Sequence, residues 1–118
     1  MYRIIITSDF SAAHMLRNYK GKCENLHGHN WKVEVSALSE KLNKQGMVFD
    51  FKDLKEKVNT ILDKVDHKNL NEIAYFKKTN PTSENIAKFI YDKIKSREIK
   101  VKSVTVWESD TSRATYEV

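Results

Sequence analysis

Apolar positions recur along the chain with two periods, and the switch between them lays out the elements. Residues 2–10 are isoleucine-rich and bounded by Ser8-Asp9, which predicts a strand. A polar stretch follows from about residue 17 to residue 25, with Gly21 inside it. Trp31, Val33, Val35 and Ala37 then alternate with Lys32, Glu34 and Ser36, the period of a half-buried strand. The connection between these strands is long and carries both Cys23 and His14, the latter just past the end of the first strand. Connections of that length in a compact domain are usually functional. Met47-Val48-Phe49-Asp50-Phe51 leads into a helix with Asp50 as its N-cap, and Leu54, Val58, Ile61, Leu62 and Val65 share one face. A loop over residues 66–80 is expected next. A second helix starts after Pro81 with Thr82 as cap, and Ile86, Ala87, Ile90 and Ile94 line its inner side. Residues 101–108 alternate again, with Val104 and Val106 on one face and Ser103, Thr105 and Trp107 on the other. Asp110-Thr111-Ser112 turns the chain, and residues 113–118 return as the last strand of a hairpin.

The predicted order is β-β-α-α-β-β, an α+β fold. Two helices would cover one face of a four-stranded, largely antiparallel sheet. The other face has no cover within the chain, and Trp31 and Trp107 both lie on strands. Bare faces and free edges are hazards that assembly removes, so a homo-oligomer is expected.

Length and composition narrow the class. The 118 residues suit one domain spanning residues 1–118, and 40% hydrophobic content supports a real core. The longest apolar run, Ile4-Ile5-Ile6, is too short to cross a bilayer. No apolar leader precedes it, and a lone cysteine cannot form an internal disulfide; both predict a cytoplasmic protein. Lys and Arg outnumber Asp and Glu by 21 to 16, a net charge of +5. That balance suits an anionic partner, although the cations are spread along the chain as on any solvated lysine-rich surface.

The candidate chemistry gathers in Cys23-Glu24-Asn25-Leu26-His27-Gly28-His29-Asn30. His27 and His29 are two apart at the start of a strand and so point to one face. Gly28 between them removes a side chain and would permit close backbone approach. If the first two strands pair, His14 comes to the same end of the sheet. Three neutral imidazoles suit zinc and leave a fourth position open, the mark of a catalytic rather than a structural ion. The plain alternative is a polar strand end without metal. Cys23 is either an inert thiol or, beside Lys20 and Lys22, one whose thiolate fraction is raised. His67 after Asp66 reads either as a cation at a helix C-terminus or as a proton carrier oriented by Asp66.

Five motifs occur in order: Phe10-Ser11-Ala12-Ala13-His14, Cys23 to His29, Asp66-His67, Pro81-Thr82-Ser83-Glu84-Asn85 and Trp107-Glu108-Ser109. Together they resemble the 6-pyruvoyltetrahydropterin synthase family. They are most similar to its 6-carboxytetrahydropterin synthase branch, which acts in queuosine and 7-deazapurine biosynthesis. The resemblance covers nearly the whole chain. It implies the tunnelling fold, in which subunits join their sheets into an oligomeric β-barrel. A hexamer built as a dimer of trimers, with active sites between subunits, is the implied assembly. It further implies Zn2+ on His14, His27 and His29, a catalytic Cys23 and a catalytic pair Asp66 and His67. Glu108 would grip the pterin ring, and Thr82, Ser83 and Glu84 would lie beside it.

The implied reaction turns 7,8-dihydroneopterin triphosphate into 6-carboxy-5,6,7,8-tetrahydropterin, with release of triphosphate and acetaldehyde. Cys23 would take a side-chain proton and His67, supported by Asp66, would handle the second. Three residues separate Cys23 from His27, as in the carboxytetrahydropterin branch; the pyruvoyl branch typically has a longer gap. The alternative products within the family are 6-pyruvoyltetrahydropterin and 6-hydroxymethyldihydropterin; some relatives that make the latter carry glutamate in place of the cysteine, at a shifted position, and Glu24 keeps that product open as a minor one. The non-enzymatic alternative is a basic module holding nucleic acid with Trp31, Trp107 and lysines. It explains the charge and leaves the histidines unexplained.

Overall fold

Residues 1–21 and 24–118 are described by the computed structural model, so Cys23 lies outside the described residues. Strand β1 (Tyr2–His14) pairs antiparallel with β2 (His27–Ser39) in one unbroken register, from Tyr2 opposite Ser39 to His14 opposite His27. Strand β1 is longer than its sequence suggests. Ser11-Ala12-Ala13 is poor strand-forming sequence, but β2 offers a partner to every residue, and pairing overrides propensity. His14 is therefore the last residue of β1 rather than a residue beyond it.

Helix α1 (Phe51–Leu62) starts at Asp50, whose carboxylate accepts from the backbone N–H of Lys52 and Asp53. Its buried face is Leu54, Val58 and Leu62, continued by Val65 past the helix end. The loop expected after it holds order of its own. Strand β3 (Lys68–Asn69) adds in parallel to the β1 edge, with Ala12 opposite Lys68, and two single 3₁₀ turns come next, at Leu70–Glu72 and Ala74–Phe76. Helix α2 (Ser83–Ile94) is capped by the Thr82 hydroxyl, which accepts from Asn85 N–H. Strands β4 (Lys100–Ser109) and β5 (Ser112–Glu117) form the predicted hairpin. The sheet has five strands in the order β3-β1-β2-β4-β5, antiparallel but for β3.

Both helices pack on one face, against Ile6, Phe10, Trp31, Val33, Val35, Val104 and Val106. Burying each large aliphatic chain there is worth about 1.5–3 kcal/mol. The two tryptophans lie on opposite faces. Trp31 is fully buried and stacks on Phe10, with ring centroids 6.0 Å apart. Trp107 is on the open face, with Lys32 Nζ 5.1 Å and the Arg113 guanidinium 4.4 Å from its ring centroid. That face is polar along its middle: Ser36 pairs with Ser103 at 2.6 Å and Thr105 with Thr115 at 2.7 Å. Among the described residues no helix is long and apolar enough to cross a membrane.

Candidate metal centre and active site

The register of β1 and β2 builds the histidine cluster. His14 stands opposite His27, and Ala12 opposite His29, so all three rings rise from one end of the helix-covered face. Their ring centroids are 4.7–5.1 Å apart. Trp31 forms the floor, edge-on to His14 and His29, with its indole N–H donated to Ala12 O at 3.1 Å. Among the described residues, crowding does not account for Gly28. A Cβ added there would meet its nearest neighbour, Ala12 O, at 3.7 Å, an ordinary contact.

Hydrogen bonding fixes which ring nitrogens are free. His14 Nδ1 lies 2.8 Å from Pro81 O, and His27 Nδ1 lies 2.8 Å from Asn25 O. A carbonyl only accepts, so each Nδ1 carries the proton and each neutral ring presents a lone pair at Nε2. Those two Nε2 atoms face each other at 3.1 Å. Two facing lone pairs repel unless a cation stands with them. Among the described residues His29 Nε2, a buried atom, has no hydrogen-bond partner, although Glu108 Oε1 is 3.2 Å away. The donor atoms of His14, His27, His29 and Glu108 all lie within 4.8 Å of one another. Three imidazoles and a carboxylate could hold a metal, and that donor set fits zinc. Burial pushes the His14 pKa down, against the opposing effect of the Pro81 carbonyl, and the neighbouring His27 adds to the lowering. The favoured neutral ring is the form a metal needs.

Asp66 and His67 are brought to the other edge of β1. Helix α1 ends at Leu62, so His67 lies beyond the last turn, where the helix dipole no longer acts. Instead the pair is pinned to Ser11. Asp66 Oδ1 accepts the Ser11 N–H at 2.8 Å, and the His67 N–H is donated to Ser11 O at 2.5 Å. His67 holds a left-handed backbone, φ 58°, which costs a non-glycine residue about 1–3 kcal/mol and tends to mark functional sites. Asp66 Oδ2 lies 3.0 Å from His67 Nδ1. The Ser11 N–H, and then His67, hold the Asp66 carboxyl below the usual carboxylate range. The His67 side chain is 81% exposed. It borders an open depression of about 500 Å³ shared with Ser11, Ala13, Asn30 and Asn69.

Thr82 spends its hydroxyl on the cap, at 3.1 Å from Asn85 N, Ser83 is buried and Glu84 is exposed. Glu108 is brought to the metal donors as well as to the strand end, a closeness the sequence did not reveal. Sequence reasoning also missed the two ring-orienting carbonyls and Trp31 as the floor. A carbonyl acceptor leaves no mark on residue type. Trp31 is fully buried, so it cannot join Trp107 as a platform on which a nucleic-acid base stacks.

Comparison with known proteins shows the family and the fold. The family described as 6-pyruvoyl tetrahydropterin synthase matches residues 3–118. A 6-carboxy-5,6,7,8-tetrahydropterin synthase of Haemophilus influenzae is 35% identical, over 99% of this chain and 99% of its own. A dihydroneopterin monophosphate aldolase of Pyrococcus furiosus is 38% identical, over 92% of this chain and 90% of its own. Among solved structures, the 6-pyruvoyl tetrahydropterin synthase of Caenorhabditis elegans superposes with a TM-score of 0.88 at 34% identity, covering 99% of this chain and 95% of that one.

Proposed function

We propose a specific reaction for this chain, which belongs to the 6-pyruvoyl tetrahydropterin synthase family: conversion of 7,8-dihydroneopterin triphosphate and one water to 6-carboxy-5,6,7,8-tetrahydropterin, with release of triphosphate and acetaldehyde. The observation that carries it is the convergence of His14, His27 and His29 with their Nε2 atoms turned inward. Those three residues would hold Zn2+. The ion would supply Lewis acidity toward the hydroxyls of the substrate side chain. Cys23, four residues before His27 in sequence, is the proposed base for the first proton. His67 is the proposed carrier of the second. Its Nδ1 is engaged by Asp66, which leaves Nε2 as the nitrogen that exchanges a proton with substrate. Glu108 would accept paired N–H bonds from the pterin edge, with Thr82, Ser83 and Glu84 alongside.

A ring as exposed as His67 excludes no water by itself. Its exposure, the polar open face and an edge of β1 that, among the described residues, pairs only at Ala12 and Ala13 support active sites between subunits of a homo-oligomer. The proposed assembly is a hexamer, a dimer of trimers closing the sheets into a barrel. The proposed setting is queuosine biosynthesis in the cytoplasm.

A second reading keeps the fold and changes the product to 6-hydroxymethyldihydropterin. The aldolase of Pyrococcus furiosus supports it, as does Glu24 beside Cys23. The Glu24 carboxylate is engaged with Leu16 N–H at 3.2 Å, which favours the first reading. Product analysis after incubation with dihydroneopterin triphosphate decides. Acetaldehyde with a carboxylated tetrahydropterin supports the proposal, and glycolaldehyde triphosphate with a hydroxymethyl product overturns it.

A further inference from the structure

Beyond His14 the chain leaves the sheet, yet the backbone groups of residues 15–17 are satisfied. Side-chain amides stand in for a neighbouring strand. Asn71 Oδ1 accepts the Met15 N–H at 2.9 Å, and Asn71 Nδ2 donates to Met15 O at 2.9 Å. Asn80 repeats the pattern two residues on: Oδ1 accepts the Arg17 N–H at 2.8 Å and Nδ2 donates to Arg17 O at 2.9 Å. Leu16 between them is bound on its other side by Glu24, through Glu24 N–H to Leu16 O at 2.9 Å and Leu16 N–H to Glu24 Oε1 at 3.2 Å.

Asn80 differs from Asn71 in its C-terminal neighbour. That residue, Pro81, directs its carbonyl at His14 Nδ1. The Asn80 carbonyl is itself held, by Asn85 Nδ2 at 2.9 Å and Thr82 N–H at 2.9 Å. Proline has one soft backbone angle fewer than other residues, so the aim of the Pro81 carbonyl depends closely on where Asn80 is fixed. Residues 80–81 thus grip 14–17 at two points, the Arg17 backbone and the His14 ring.

We propose that Asn80 is a positioning residue for the metal centre: by pairing both ways with the Arg17 backbone it holds the Pro81 carbonyl against His14 Nδ1, and so keeps His14 Nε2 turned toward the other donors. This rests on the reading of the three histidines as a zinc site. The same bracket ties that site to the first turn of α2. Partners of a ligand's second nitrogen fix ring orientation, and their loss typically costs about 10–100-fold in metal affinity.

The test compares zinc affinity, by chelator competition well below the unfolding temperature, in wild type, Asn80→Ala, Asn80→Asp and Leu62→Ala. Asn80→Asp keeps the acceptor for Arg17 N–H and loses the donor to Arg17 O, with less disturbance of shape. Leu62→Ala is a core change that lowers stability without touching the bracket. The expected result is zinc binding about ten-fold or more weaker in both Asn80 variants, with an altered visible spectrum of bound cobalt(II), while Leu62→Ala binds within about two-fold of wild type. If Asn80→Ala does not fold, Asn80→Asp alone carries the comparison. Asn80 variants that bind zinc as tightly as wild type, with the same cobalt spectrum, overturn the role of Asn80 and leave the metal site standing. A wild-type chain that binds no zinc overturns the metal reading instead.

Discussion

His14 and His27 meet through their Nε2 atoms, 3.1 Å apart, while the opposite nitrogen of each is committed to a main-chain carbonyl. The pair is therefore arranged to share something positive, and the consequences can be measured.

Zinc should bind at about one ion per chain and raise the Tm. The metal-free chain should have its own acid dependence. Burial holds the His14 pKa below its ordinary value, so the unfolded chain takes up the proton first. That stabilising contribution is complete above about pH 6.5 and is lost as pH falls from there through the lower folded value. Protons compete with zinc for the same nitrogens, so the zinc-induced rise in Tm should shrink over the same interval. Melting curves with and without zinc between pH 5 and 8 check both effects; a zinc effect that stays flat across that range would exclude histidine ligands.

Cys23→Ala should retain zinc and lose turnover by about 10²–10⁴-fold, the usual worth of a positioned base. Metal analysis beside the kinetic assay separates the outcomes. Loss of zinc together with activity would make Cys23 a ligand.

Asp66→Asn should lower kcat and leave zinc content unchanged, because the pair stands on the β1 edge rather than among the metal donors. It should also alter acid unfolding. The Asp66 carboxyl titrates below its ordinary range in the folded chain, so its contribution is present above the ordinary carboxylate pKa and fades as pH falls through the folded value. Acid titration followed by circular dichroism should show that component in wild type and not in the variant.

Glu108→Gln should raise KM for the pterin about ten-fold or more, through loss of charge-assisted hydrogen bonds, with zinc affinity nearly unchanged. Weakened zinc binding with unaltered KM would assign Glu108 to the metal, a role its 3.2 Å approach to His29 also permits.

What the sequence discloses here is local. Asp50 and Thr82 announce the helix starts because capping is chemistry within three residues. The shared face of His27 and His29 comes from strand pleating alone. What it conceals depends on distant partners. Ser11-Ala12-Ala13 becomes strand because β2 pairs with it, and Lys68-Asn69 because β1 presents a free edge. The carbonyls of Pro81 and Asn25 orient His14 and His27 through atoms every residue possesses, so no reading of residue types finds them.

The unbroken ladder between β1 and β2 has a consequence for folding. Strand pairing offers discrete alternatives, and a slip of one residue inverts every side chain on the strand that moves. A chain so shifted would keep much of its secondary structure while turning His14 away from His27 and His29. Such a slip would also turn Ile6 and Phe10 out of the core, so the burial that fixes the register of β1 fixes the grouping of the three imidazoles with it.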